Sequence, residues 1–163
     1  MYFWSVYIHI LLAIFWIGGM LFTAAVLVPV SRDKMFENRR GEFFKKVGTL
    51  YSRISWILFI LILGTGITAL TGLGYSLSDL ASSYFWQSGF GRTLMGKLHI
   101  FSLVLILSGL HDFWLGPKAA KLMDQEPDSK ITRRFRKASS WVGRINLLLG
   151  LWILYYAVSL VRG

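Results

Sequence analysis

The sequence predicts an all-α integral membrane protein, a four-helix bundle, and three observations lead there. Of 163 residues, 55% are hydrophobic, and the mean hydropathy is +0.54. Four apolar runs, at about residues 4–30, 52–74, 93–116 and 140–161, each reach the roughly 20 residues that a bilayer crossing requires. Basic residues gather in alternate connections. Arg32, Lys34, Arg39, Arg40, Lys45 and Lys46 follow the first run, and Lys118, Lys121, Lys130, Arg133, Arg134, Arg136 and Lys137 follow the third. The connection from Tyr75 to Gly91 has no Lys or Arg.

That alternation is the positive-inside pattern. It predicts two basic loops in the cytoplasm, both termini outside, and residence in the cytoplasmic (inner) membrane. The net charge of +10 is thereby read as a topology signal attracted to anionic lipid. The predicted partner is the lipid bilayer, and nucleic acid is not expected. Little chain lies outside the spans, so residues 1–163 are read as a single transmembrane domain. The first run lacks a basic start and a small-residue cleavage site, which makes it a span and not a signal peptide. Cysteine is absent, which excludes disulfides, iron–sulfur clusters and covalent haem attachment.

The first run carries His9 inside HILLAIFWIGGM. An ionisable ring in hydrocarbon is costly and normally faces the bundle interior with a partner. Tyr2, His9, Ala13, Trp16 and Met20 share one helical face by their spacing. Trp16 and Met20 suit either packing or contact with a bound cofactor. Pro29 marks the far end of this run. The following loop mixes charge with Met35, Phe36, Phe43 and Phe44, and reads as an amphipathic segment lying on the membrane.

The second run places Gly64, Thr68 and Gly72 at successive i+4 steps. This smooth ridge suits either close helix contact or a flat macrocycle. The connection after it is aromatic, with Tyr84, Phe85 and Trp86 suited to the interface or to capping a cofactor or quinone pocket. The third run sets Arg92, Gly96 and His99 on one face. Arg92 lies about 10 Å further out than His99 at 1.5 Å per residue. An arginine there suits either a carboxylate fork on a haem propionate or snorkelling to the outer interface. Lys97 points about 160° away from His99 and is the poorer partner for that face. His111 and Asp112 close the run before Pro117. An interface histidine bonded to Asp112 or a carbonyl is one reading; proton delivery or a second quinone site is the other. In the fourth run Asn146 should hydrogen-bond across helices.

The two hairpins resemble copies. Each has a histidine early in its first helix, a proline ending it, a basic loop, and Arg53 or Arg144 opening its second helix. His9 and His99 then fall at matched depth. Two imidazoles are too few for structural zinc, whereas haem iron needs only two axial ligands from the protein. His9 and His99 are therefore the candidate metal ligands for one haem b. Arg92, Gly64, Thr68, Gly96, Trp16 and Met20 are the candidate pocket residues. Two histidines packed without a cofactor is the plainer alternative.

HILLAIFWIGGMLF with LVPVSR resembles the first helix of the CopD-like membrane proteins and is similar to that of the HemJ-type protoporphyrinogen oxidases. GKLHIFSL is similar to their third helix. The resemblance implies a four-helix haem-binding bundle in which His9 matches the family's first-helix histidine. It further implies redox work or, for CopD, copper handling. The HemJ pattern at the end of the first helix is only partly present. The expectation is a b-type cytochrome carrying one electron near the outer face and exchanging it with quinone or quinol. A protoporphyrinogen oxidase acting on a tetrapyrrole, a copper-tolerance protein and a haem-free structural protein are the alternatives. A homodimer is compatible with all four.

Overall fold

In the computed structural model, which describes residues 2–36 and 39–162, four long antiparallel helices form a membrane bundle. They are α1 (Tyr2–Val30), α2 (Arg40–Gly72), α5 (Gly89–Gln125) and α6 (Lys130–Arg162). Two short helices, α3 (Leu77–Ala81) and α4 (Ser83–Gln87), lie in the connection between α2 and α5. There is no strand among the described residues. The aromatic end of the bundle carries α3 and α4, and the basic end carries the two charged connections.

Three helices run well past their apolar cores. α2 begins at Arg40, so Phe43, Phe44, Lys45 and Lys46 are its first turns and not a separate segment lying on the membrane. α6 begins at Lys130. Lys, Arg and Glu are good helix formers, so polarity ends the hydrophobic run without ending the helix. α5 continues through Pro117 to Gln125. His111 and Asp112 therefore sit within a helix, not at its end.

The prolines pass because each follows a π turn, Thr23–Leu27 before Pro29 and His111–Leu115 before Pro117. A proline ring clashes with the carbonyl four residues back. Those carbonyls belong to Ala25 and Phe113, inside the widened turns, where bonding has already shifted to i→i+5.

α1 packs along α2, and α5 along α6. The hairpins are joined at mid-depth by a core of Trp16, Ile17, Leu58, Phe59, Ile62, Ile100, Val104 and Ile153. Trp16 meets Phe59 edge-on at 5.2 Å, and Phe59 meets Phe101 at 5.8 Å. Towards the basic end α2 lies against Gly116–Gln125 of α5. There Ala119 and Ala120 are buried. A Cβ on Gly41 would meet the Ala120 carbonyl oxygen at 2.6 Å, so this approach is backbone to backbone.

The repeat is visible in the fold, with a register that the prolines set. Pro29 and Pro117 stand 88 positions apart, as do the π turns that begin at Thr23 and His111. The same interval pairs Trp16 with Val104 and Ser31 with Ala119, all four buried. In the second helices the interval is 91, pairing Ser55 with Asn146 and Ile62 with Ile153, again all buried.

Candidate functional site

Which face of each helix turns inward is decided by these buried landmarks. On α1, His9 lies between Ser5 and Trp16, four residues from one and seven from the other, and so shares their inward stripe. On α5 the stripe runs Leu94, Ile100, Val104, Ser108. Lys97 falls three residues from Leu94 and Ile100 and seven from Val104, on that stripe. His99 lies five residues from Val104, about 140° around the helix, and is exposed.

His9 is half-buried against α2. Its Nδ1 lies 3.0 Å from the Ile62 carbonyl and 3.0 Å from Thr65 Oγ1. A carbonyl can only accept, so Nδ1 carries the proton and donates. No hydrogen bond engages Nε2 among the described residues, and its lone pair is free. Gly66 lies beside the ring, where a Cβ would make ordinary contact with His9 Cε1 at 3.4 Å. The neighbouring Ser5 hydroxyl donates to the Thr65 carbonyl at 2.9 Å.

On the other hairpin, Lys97 is near enough to His9 for its charge to be felt at the ring. It is half-buried and makes no ion pair among the described residues. The proline register puts Lys97 at the position that His9 holds in the first hairpin. His99 was the expected counterpart; Lys97 is the one on the inward face. The signal was in the sequence, in the spacing of two prolines.

His99 instead lines a groove of about 280 Å³ on the outside of the bundle, with Trp86, Met95, Leu98 and Ser102. Its Nδ1 donates to the Met95 carbonyl at 2.8 Å on its own helix. The structure thus does not bring His9 and His99 together. No group of three or more His, Asp or Glu side chains that could hold a metal occurs among the described residues.

The other pocket candidates separate in the same way. Trp16 is 3% exposed and packs α1 on α6, where a Cβ on Gly150 would meet its Cη2 at 3.4 Å and Met20 Cε at 3.2 Å. Gly96 is covered by the Tyr156 ring, within 2.7 Å of a built Cβ. Gly64 and Thr68 are exposed, with open space at Gly64, so that part of the ridge faces outward. Gly72 alone of the three is at a helix contact, against Tyr2. Arg92 is exposed. Asn146 bonds across helices as expected, donating to Ser108 Oγ at 2.9 Å.

A chain with four apolar helices, alternating basic connections and an inward polar pair belongs to the multi-pass membrane proteins. Within that class, residues 11–128 match the family described as "Domain of unknown function (DUF4149)", and this chain belongs to that family. The matched stretch includes Lys97, His99, His111 and Asp112. A relative from Aquifex aeolicus (strain VF5), carrying the name "Uncharacterized protein", is 32% identical over 157 residues, 96% of this chain and 93% of the relative. No solved structure matches.

Proposed function

We propose that this protein is a redox protein of the cytoplasmic membrane, a b-type haem protein in which His9 would hold the haem iron and the basic connections face the cytoplasm. The observation that supports this is the state of the His9 ring. Its Nδ1–H is held by a backbone carbonyl, which fixes the tautomer, orients the ring and leaves Nε2 as the donor atom. Ligating histidines are held in this way. Lys97, which makes no ion pair among the described residues, lies on the opposite hairpin and suits a propionate. These residues would hold a haem through one imidazole and one carboxylate contact. They do not fit a bis-histidine centre within one chain, because His99 faces outward. When bound, haem would supply one-electron chemistry.

Quinone or quinol is the partner we assign to the groove at His99. The His99 Nδ1–H is bonded to the Met95 carbonyl, and no hydrogen bond engages Nε2 among the described residues, which leaves that atom to accept a quinol hydroxyl. Trp86 gives the headgroup an aromatic wall, and the groove opens sideways to lipid. The HemJ-like reading, with a tetrapyrrole as substrate, needs the same His9–Lys97 pair. The CopD-like reading would draw on Met95 and His99, two copper-compatible donors in one groove. A homodimer is the arrangement in which His99 of one chain would reach a neighbour.

The test is a reduced-minus-oxidised spectrum of protein purified after haem-replete expression. The wild type should show b-type bands, His9→Ala should lose them, and His99→Ala should keep them. A colourless wild type, or equal loss in both variants, would overturn the assignment of His9.

A further inference from the structure

At the basic end a second constellation is independent of the His9 site. His111 and Asp112 occupy the start of the π turn in α5. His111 Nδ1 lies 3.1 Å from Asp112 Oδ1, and Nε2 lies 3.1 Å from Ser139 Oγ on α6. Asp112 Oδ2 accepts from the Ser52 hydroxyl of α2 at 2.8 Å. The directions of these bonds follow from the chemistry. A carboxylate only accepts, so Nδ1 donates to it; in the neutral imidazole Nε2 then holds the lone pair and accepts the Ser139 hydroxyl proton.

We propose that Ser139 is a nucleophile activated by His111, with Asp112 as the orienting group, and that the site acts on acyl esters of membrane phospholipid. Nucleophile, base and orienter stand in the order that acyl-transfer chemistry uses, and such a set is recognised by geometry and roles, not by order in the chain. The exposure gradient agrees. The Asp112 side chain is 15% exposed and that of His111 is 32% exposed. Ser139 is also partly open. Ser52 takes the second carboxylate oxygen and fixes Asp112 to a third helix.

The surroundings argue for a lipid substrate. One turn before Ser139, Phe135 packs edge-on to Trp114 at 6.0 Å, and the Lys118 ammonium lies 4.6 Å over the Phe135 ring. An apolar wall topped by a cation fits an acyl chain below an anionic headgroup. In the reaction Ser139 Oγ bonds to the ester carbonyl carbon and its proton passes to His111 Nε2. The carbon–oxygen bond to the glycerol breaks, and the departing alcohol takes that proton. Water, giving its proton to Nε2 in turn, then splits the acyl-serine, releasing fatty acid and restoring Ser139.

The experiment is labelling of the purified full-length protein in lipid nanodiscs by an alkyl fluorophosphonate, with the modified residue mapped by peptide mass spectrometry. The adduct should sit on Ser139 in the wild type and in Ser140→Ala, whose serine is exposed. Labelling should vanish in Ser139→Ala and slow roughly a hundredfold in His111→Gln. Wild-type protein that elutes as a single helical species yet carries no adduct at Ser139 overturns the proposal. So does a folded His111→Gln that labels as fast as the wild type. If His111→Gln does not fold, Asp112→Asn is compared in its place under the same criteria.

Discussion

The two ends of the bundle hold their helices together by different means. At the basic end α2, α5 and α6 are bound by side-chain hydrogen bonds, Ser52 to Asp112, His111 to Ser139 and Asn146 to Ser108. Their backbones also approach at Gly41, Ala119 and Ala120. Towards the aromatic end each hairpin is tied within itself, His9 to α2 and Tyr156 to Gly96. Between the hairpins stands Lys97, without an ion pair among the described residues. The lesson is a division of labour along the membrane normal: the basic end fixes the bundle, and the aromatic end leaves donors and a charge for something else to satisfy. In hydrocarbon, polar groups without partners are costly.

The mid-depth core is what lets the two ends differ. Trp16→Ala removes the side chain that joins α1 to both α2 and α6, and should cost about 3–5 kcal/mol. Thermal unfolding in detergent, followed by helical circular dichroism, would read this as a large fall in midpoint. A small fall would mean that the hairpins are joined elsewhere. Gly41→Val tests the basic end by itself. Its side chain would meet the Ala120 carbonyl and the Asp124 carboxylate, and the overpacking should cost about 1–3 kcal/mol. Gly64→Ala, into open space, is the matched control and should leave the midpoint unchanged or slightly higher.

The smallest effect belongs to the connection at the aromatic end. Ser76 and Asp79 form a capping box, in which the Asp79 N–H donates to Ser76 Oγ and the Ser76 N–H donates to the Asp79 carboxylate, which the Ser76 hydroxyl also reaches. These bonds hold the Asp79 carboxyl below the usual range. The folded-state value lies below the unfolded one, so the contribution is present above about pH 4 and fades as pH falls through the folded value. Relative to the intrinsic exchange rate at each pH, hydrogen-exchange protection in Leu77–Ala81 should fall at low pH while that in the α5 core does not. Unchanged protection there would remove the capping box from the account.

Much of this was legible in the sequence. Four apolar runs and alternating charge give the helices and their antiparallel order, and Asn146 announces its own cross-helix bond. Helix ends were not legible from hydropathy, because a basic turn stays helical after leaving the apolar zone. Nor were the π turns, since TAAVL and HDFWL share no residue pattern that marks a widened turn. Helix rotation was the costliest gap. Two histidines at similar depth suggest a pair, yet their spacing says nothing about which way each ring turns. Aligning the hairpins on the prolines gives 88 for the first helices, while Arg53 and Arg144 give 91 for the second. The later hairpin has more chain between its proline and that arginine, carried by α5, which runs on past Pro117 to Gln125, while the connection itself is shorter, 126–129 against 31–39. A single offset blurs the two and pairs His9 with His99 in place of Lys97.

The inward face of α5 is the point on which the rest turns, and the cysteine-free chain allows it to be measured directly. Nitroxide labels on Lys97→Cys and on His99→Cys, each in lipid nanodiscs, report collision with oxygen dissolved in the bilayer by power-saturation spin resonance. The account predicts high oxygen accessibility at 99 and low accessibility at 97. The reverse order would turn His99 inward, restore the paired-histidine site and contradict the one described above.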